Sequence, residues 1–417
     1  MANIKLRSYA NGKEALFETP GKLDIPEVEK MGKKDTENWS RTPTVNLSSW
    51  KVSHDLSNYD MQDIDFDTLT QFSDEKFYPN GWNEKDEILE MGKDPGLGIR
   101  RLHEKGIDGT GMSMAIIDQA LSDHQEYHDN LVHYEEIGFE KAPERGQMHA
   151  SAVSSIAVGK NCGVAPKAKL YYFATNTRKN KDGKEIRTAD YRVQALERIL
   201  KINETLSDKE KIQVVSVSAG WMGQENTEKS EEWRQVLQKA KKAGLFVLTT
   251  ASRKEYEYGL GFLGMGKKVN SDPNDINSYS ACPYNLPESF ISQKNIFVPM
   301  DHRTTASPTG NNDYFHLADG GFSWATPWLA ANFLLARQVN PKITPEHFWD
   351  VALKTGVFSE KVQGTVIQPL KLIDTLQKER VCHSMKSIMI QGQQRAVEKE
   401  EKQKNILKLT KGKQNAK

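Results

Sequence analysis

The stretch GTGMSMAIIDQALSDH, residues 109–124, places a glycine-rich turn before a short apolar run that ends on Asp118. A short apolar run bounded by glycine on one side and aspartate on the other is typical of a buried strand. The carboxylate of Asp118 would then lie at the carboxyl tip of that strand. Taken singly, an aspartate in this position is more often a turn or cap residue than a catalytic one.

Similar apolar runs recur along the chain, and segments with helical spacing separate several of them. The runs are KLYYFA (169–174), IQVVSVSA (212–219), LFVLTTA (245–251) and NIFVPM (295–300), and the helical segments cover 150–158, 190–202 and 231–243. Alternating strands and helices predict an α/β fold with a mostly parallel central sheet and helices on both faces. Functional groups in such folds gather at the carboxyl ends of the strands.

The composition is that of a soluble globular chain with balanced charge. The 57 basic residues nearly cancel the 56 acidic ones, which argues against a global nucleic-acid footprint. No apolar run approaches the roughly 20 residues that a bilayer requires, and the first residues lack the apolar stretch of a secretory signal. Three widely spaced cysteines fit a reducing compartment better than a disulfide framework. We therefore expect a cytoplasmic protein without a membrane partner.

Changes in composition divide the chain into three parts. Residues 1–90 are polar with scattered aromatic residues and predict an arm that docks onto the main domain and restrains it. Residues 91–378 carry the alternating pattern of the main domain. Residues 379–417 are rich in Lys, Gln and Glu and predict a charged tail, either a solvated helix or disordered.

Two further segments contain residues that chemistry could use. QMHASAVSSIAVG sets His149 at the entrance of a predicted buried helix, where an imidazole needs a hydrogen-bond partner. GGFSWATPWLAANFLLARQVNP sets Ser323 after Gly320 and Gly321 and before an apolar helix with Pro327 in its first turn. The glycines permit backbone geometry closed to other residues, and the helix start favours developing negative charge. A helix-capping serine has the same sequence appearance.

In this order, the three segments resemble those of the subtilisin-like serine peptidases. HASAVSSIAVG is similar to the family's His motif, and GFSWATPWLA is similar to its nucleophile motif. Two linking segments, GVAPKAKLYYFA (163–174) and SVSAGWMG (216–223), also resemble the family. The resemblance extends over about residues 95–375 and implies a subtilisin-like fold.

The resemblance also implies a serine endopeptidase that acts on protein or peptide substrates. Ser323 would be the nucleophile, His149 the general base and Asp118 the group that orients the imidazole. The segment Ser218, Ala219 and Gly220 would bind extended substrate backbone by adding a strand. We expect neither a metal nor another cofactor, since the calcium-binding loop of secreted relatives is missing between His149 and GVAP.

The segment FVLTTASRKEY (246–256) departs from the family pattern. It places Arg253 where the family has the asparagine of the oxyanion hole. The guanidinium is rich in donors and could replace that asparagine, block the hole or pair with a carboxylate. Arg253 is therefore our oxyanion candidate, and it is also the feature that favours a weak or inactive relative that uses the same cleft for binding or regulation.

Two other classes of function are weaker alternatives. His124, His128 and His133 lie close to aspartates and could serve a metal hydrolase, but Gln125 stands where a zinc signature needs glutamate. We expect them to be solvated loop histidines. GLGFLGMGKK (259–268) could suggest nucleotide binding, but it lacks phosphate-loop spacing and predicts a flexible cleft or surface loop.

Overall fold

The computed structural model describes residues 84–139, 146–220, 227–250, 261–267, 271–281, 295–308, 310–317 and 321–382, with the strands at 7–9 and 71–73 and helical positions 394 and 398. The helices are α1 (Glu84–Lys93), α2 (Ile99–His103), α3 (Met148–Val158), α4 (Asp190–Thr205), α5 (Ser230–Lys242), α6 (Phe322–Val339), α7 (Pro345–Thr355) and a helix over 369–382. None of the described helices is long and apolar enough to cross a bilayer.

The strands form four sheets within the described residues. They are β1 (Arg7–Tyr9), β2 (Gln71–Ser73), β3 (Ser113–Asp118), β4 (Leu131–Ile137), β5 (Lys169–Thr175), β6 (Arg178–Lys179), β7 (Glu185–Ile186), β8 (Val214–Val217), β9 (Phe246–Thr249), β10 (Phe262–Lys267), β11 (Tyr279–Ala281), β12 (Ile296–Pro299), β13 (Arg303–Ala306), β14 (Tyr314–Leu317), β15 (Val357–Ser359) and β16 (Gly364–Val366).

The central sheet has the strand order β1-β4-β5-β3-β8-β9. Five neighbouring strands of this sheet, in the order β4, β5, β3, β8 and β9, are parallel. β1 pairs antiparallel along the outer edge of β4. One core cluster packs α3 and α6 on one face of this sheet, and another packs α4 and α5 on the other face. The predicted α/β architecture, with a mostly parallel central sheet and helices on both faces, is confirmed.

The run NIFVPM lies outside the central sheet. It forms β12, which pairs in parallel with β10 and β16 in a second sheet ordered β11-β10-β12-β16-β15. A run of apolar residues fixes the burial of a strand but not the sheet to which it belongs, because burial on both faces is possible in either sheet.

The described part of the segment GLGFLGMGKK is not the flexible loop that we predicted. Residues Phe262–Lys267 are the fully buried strand β10. Side chains on Gly264 and Gly266 would collide with Met300 and Asp301 respectively. The glycines thus allow neighbouring side chains to approach the strand closely, which is a packing role and not phosphate binding.

Candidate active site

The carboxyl edge of the central sheet brings together the residues that the motifs single out. β3 ends on Asp118, and the pair Ile116 and Ser216 is the last in the register of β3 with β8. Two residues further along, Asp118 and Ser218 therefore stand at the same level of adjacent strands. The predicted substrate segment and the predicted carboxylate lie side by side.

His149 is the second residue of α3, and it reaches across to Asp118. Its Nδ1 atom lies 2.7 Å from Asp118 Oδ1, the distance of a short, charge-assisted hydrogen bond. The same carboxylate oxygen accepts from the backbone N–H of Gln119 at 2.8 Å, which fixes the orientation of the carboxylate. The Asp118 side chain is only 6% exposed, whereas that of His149 is 26% exposed, so the imidazole faces the surface and the carboxylate supports it from below.

The protonation of His149 reflects two opposing influences. Burial is the largest, and it disfavours the charged imidazolium; the Asp118 carboxylate opposes burial through its charge and its hydrogen bond. The carboxylate prevails, and the pKa of His149 is raised above its ordinary value of 6.5 although Arg192 acts to lower it. The pair is therefore built to stabilise a protonated imidazole.

Ser323 is the second residue of α6, and the helix is capped by Gly321. Gly321 has extended backbone (φ −167°, ψ 168°), which any residue can adopt, and a side chain there would meet only Ser323 N at 3.9 Å. Our expectation that Gly321 supplies special backbone geometry is therefore wrong, and Gly320 lies outside the described residues. Ser323 is also not the helix-capping serine, because it is already inside the first turn.

Ser323 and Ser218 form a reciprocal contact. Ser218 Oγ donates to the backbone oxygen of Ser323 at 2.8 Å, while Ser323 Oγ approaches the backbone oxygen of Ser218 at 3.5 Å. The first bond has a clear cause in Pro327, which lies in the second turn of α6 and not in the first as we predicted. Proline has no N–H for the carbonyl four residues earlier, so the Ser323 oxygen needs another donor, and Ser218 supplies it.

Trp324 connects Ser323 to the Asp–His pair. Its ring centroid lies 5.2 Å from that of His149, with the two planes tilted by 38°. The Trp324 side chain is buried, so it limits the positions that the imidazole can take. Ser323 directly precedes Trp324 in the chain, so the residue that packs against His149 is the neighbour of the predicted nucleophile.

The predicted substrate segment is partly accessible. Ser218, Ala219 and Gly220 are each half-buried at the point where β8 has ended, and Ala219 N–H bonds back to Val217 at 2.7 Å. Their position beside Asp118 agrees with a role at the cleft. The oxyanion candidate Arg253 lies outside the described residues, so its role stays a prediction.

We predicted that His124, His128 and His133, the residues of the metal hypothesis, are solvated loop histidines, and this is wrong for His124 and His133. His124 is fully buried and bonds through Nε2 to the backbone oxygen of Asp313 at 2.8 Å. His133 belongs to β4 and contacts Glu135 at 3.1 Å. Only His128 is substantially exposed, and it lies 2.8 Å from Asp123. Charged neighbours in the sequence obscured the burial of His124 and His133.

Cys162 has a structural role. It is fully buried as a free thiol, and its backbone N–H donates to Glu126 at 3.1 Å. Burial, followed by the charge of Glu126, raises the pKa of the Cys162 thiol well above its usual range. The thiol therefore stays protonated and unreactive.

Sequence reasoning missed one residue whose charge acts on this site. Arg192 belongs to α4, and it influences both His149 and Asp118 electrostatically. The sequence does contain a signal for the position of Arg192 on α4. Arg192 precedes Ala195, Leu196 and Ile199 by three, four and seven residues, so it lies on the same face of the helix as these buried residues.

Fold and site together define an α/β protein whose sheet edge carries an aspartate–histidine pair beside a serine at a helix start. Residues 73–263 match the model of the subtilase family, described as Peptidase_S8. The predicted resemblance to the subtilisin-like family is therefore confirmed over this segment, and with it the subtilisin-like fold. The matched segment includes Asp118, His149 and Ser218, and Ser323 follows it.

Solved structures with low sequence identity resemble the chain. One is from work on the assembly of subtilase cytotoxin SubAB, with 14% identity, a TM-score of 0.49, and coverage of 68% of this chain and 96% of the other. The prenylagaramide maturation protease PagA has 15% identity, a TM-score of 0.46, and coverage of 67% and 98%. The A-subunit of the AB5 toxin from E. coli has 14% identity, a TM-score of 0.49, and coverage of 68% and 98%. No curated protein matches the chain.

Proposed function

We propose that the protein is a serine endopeptidase that cleaves peptide bonds through Ser323, His149 and Asp118. The observation that carries the proposal is the 2.7 Å hydrogen bond between His149 Nδ1 and Asp118 Oδ1. This bond fixes the Nδ1–H tautomer and leaves Nε2 to accept a proton, which is the form that a general base needs. The match to the subtilase family supports the chemistry of a serine peptidase.

The reaction begins with attack on the substrate carbonyl. Ser323 Oγ forms a bond to the carbonyl carbon while its proton passes to His149 Nε2. Asp118 stabilises the imidazolium that results. His149 then returns the proton to the leaving amine as the peptide bond breaks, and water hydrolyses the acyl-enzyme by the same steps.

The free protein holds the nucleophile in a resting orientation. The Ser323 hydroxyl is directed at the Ser218 carbonyl, and the 3.5 Å separation makes this a weak contact. Catalytic hydrogen bonds are often loose without substrate and tighten in the complex. A substrate backbone N–H that bonds to Ser218 would displace the hydroxyl and leave it to His149.

Negative charge on the substrate oxygen develops beside the start of α6. The first N–H groups of a helix have no acceptor within the helix, and the helix dipole favours an anion there. The backbone N–H of Ser323 is one such group. We propose it as an oxyanion donor, with Arg253 as the candidate for a side-chain donor.

A fluorophosphonate probe tests the proposal directly. We expect covalent labelling of the full chain that Ser323→Ala abolishes, together with hydrolysis of denatured protein that the same variant lacks. Ser207→Ala is the matched control, because Ser207 is an exposed serine outside the cleft. Absence of both labelling and hydrolysis in the folded wild type would overturn the peptidase proposal and favour the binding or regulatory alternative.

A further inference from the structure

The sheet-facing stripe of α4 ends in a cation. Ala195, Leu196 and Ile199 of this helix are buried against the central sheet. Residues separated by three, four or seven positions share one face of a helix. Arg192 is therefore on the same face, one turn nearer to the start of α4, and it is half-buried.

The start of α4 lies at the carboxyl edge of the central sheet. The ring of Tyr191 packs against Gly138, the first residue after β4, leaving no room for a side chain there. Side chains on a helix lean toward its N-terminus. The Arg192 side chain consequently extends from the face of the sheet toward the strand tips, where Asp118 lies.

The charge of Arg192 acts on both members of the Asp–His pair. Burial lowers the pKa of Arg192, and the Asp118 carboxylate acts in the opposite direction. His149 is influenced mainly by burial and Asp118, and Arg192 also acts against its protonation. These influences agree with the position that the helix geometry gives to the guanidinium.

A peptide bound along Ser218–Gly220 would pass this cation. Ser218 is level with Asp118 on the adjacent strand, so a chain that crosses the strand tips there passes the Asp–His pair within a few ångströms. A guanidinium is always charged, and its planar array of donors matches a carboxylate in two parallel hydrogen bonds.

We propose that Arg192 makes the cleft selective for peptides with Asp or Glu close to the scissile bond. This inference rests on the proposed peptidase function and specifies its substrate class. Arg192 would act as a specificity residue that contacts the substrate, without taking part in bond cleavage.

A peptide series tests the selectivity. Asp, Asn and Lys are placed in turn at each of the four positions before and the two positions after the scissile bond, and kcat/KM is measured. At one position we expect Asp to be favoured over Asn by about tenfold or more, the size of a charge-assisted hydrogen bond. Arg192→Gln should abolish that ratio, Arg192→Lys should retain part of it, and Arg192→Glu should reverse it in favour of Lys.

The matched control is Lys201→Gln, which removes one cation from an exposed position of the same helix. It should leave the ratio of Asp to Asn unchanged. Equal rates for Asp and Asn at every position, in an enzyme that hydrolyses peptides, would overturn the selectivity while leaving the peptidase function intact.

Binding to the Ser323→Ala variant separates the two proposals. Fluorescence anisotropy with the same peptides measures binding in the absence of cleavage. We expect the peptide with Asp to bind with a lower Kd than the peptide with Asn, at the same position that favours Asp in kcat/KM. Acid-selective binding by a wild type that neither labels nor hydrolyses would overturn the peptidase function and retain the role of Arg192. Binding without regard to charge would overturn the role of Arg192.

Discussion

The imidazole of His149 has a buried carboxylate on one side and the Trp324 ring on another. Because the carboxylate outweighs burial, the pKa of His149 lies above 6.5, and the neutral form that acts as a base is lost as pH falls through that raised value. We expect the acidic limb of kcat/KM to lie above pH 6.5. The pH dependence of peptide hydrolysis measures it directly.

Replacing Asp118 by Asn separates the charge of the carboxylate from its shape. The amide cannot stabilise the imidazolium, so the acidic limb should move to lower pH while kcat/KM falls by about 10⁴-fold, as for other triads. Asp123→Asn is the matched control, because Asp123 contacts His128 and not His149. If the acidic limb of the kcat/KM profile has the same midpoint pH in Asp118→Asn as in the wild type, His149 is not the group whose titration produces it.

The same shift affects stability. A histidine whose pKa is raised on folding stabilises the protein fully below its unfolded pKa, and this contribution disappears as pH rises through the folded value. The free energy of unfolding should therefore decline in the wild type as pH rises above 6.5, relative to Asp118→Asn. Urea unfolding at several pH values measures the difference, and identical slopes for the two proteins would contradict it.

Local patterns predicted some parts of the site and missed others. Strand and helix patterns predicted where the backbones of Asp118, His149 and Ser218 lie, and the family resemblance supplied the roles proposed for them. Arg192 was missed because its effect on Asp118 depends on how α4 lies across the sheet. The helical pattern places Arg192 on the apolar face of α4, but its electrostatic interaction with Asp118, 74 positions away, is set by packing.

At the level of elements, strand prediction failed where charges are buried. β4 was missed because its sequence, LVHYEEI, shows neither of the two patterns that indicate a strand. Its residues do not alternate between apolar and polar, and they do not form a continuous apolar run. Glu135 is fully buried there, and Arg198 of α4 satisfies it through Nε at 2.9 Å. A strand that buries carboxylates requires a partner from a distant helix, which the strand's own sequence does not contain.

The contact between β8 and α6 yields an element-scale prediction. Ser218→Ala leaves the Ser323 carbonyl without its donor and should cost about 1–3 kcal/mol in the free energy of unfolding. Pro327→Ala restores a helical N–H for that carbonyl. The loss caused by Ser218→Ala should therefore be smaller by about 1 kcal/mol in the Pro327→Ala background.

Urea unfolding of the four proteins in this double-mutant cycle provides the measurement. Ser216→Ala is the matched control, since Ser216 lies on the same strand and its buried hydroxyl has no hydrogen-bond partner among the described residues. It should show no coupling to Pro327. Equal coupling for Ser216 and Ser218 would mean that Pro327 acts through general destabilisation and not through the Ser323 carbonyl.

At the scale of the whole molecule, the segment before residue 84 completes two sheets. β1 pairs with β4 at the edge of the central sheet, and β2 pairs with β14 in a separate sheet with β13. Unpaired sheet edges promote association between chains. Docking of the N-terminal arm was predicted from its aromatic residues, but the strands to which it pairs depend on which edges the fold leaves open.

Ser8→Pro tests what the first of these strands contributes. Ser8 pairs with Glu135 in the centre of β1, and proline there removes a backbone donor and disfavours the antiparallel pairing. We expect a loss of about 1–2 kcal/mol in the free energy of unfolding and a greater tendency to self-associate through the β4 edge. Ser8→Ala is the control and should behave as the wild type does in urea unfolding and light scattering. If the arm also restrains the peptidase, kcat/KM for short peptides will rise in Ser8→Pro, whereas unchanged kinetics with reduced stability would limit the role of β1 to closing the sheet.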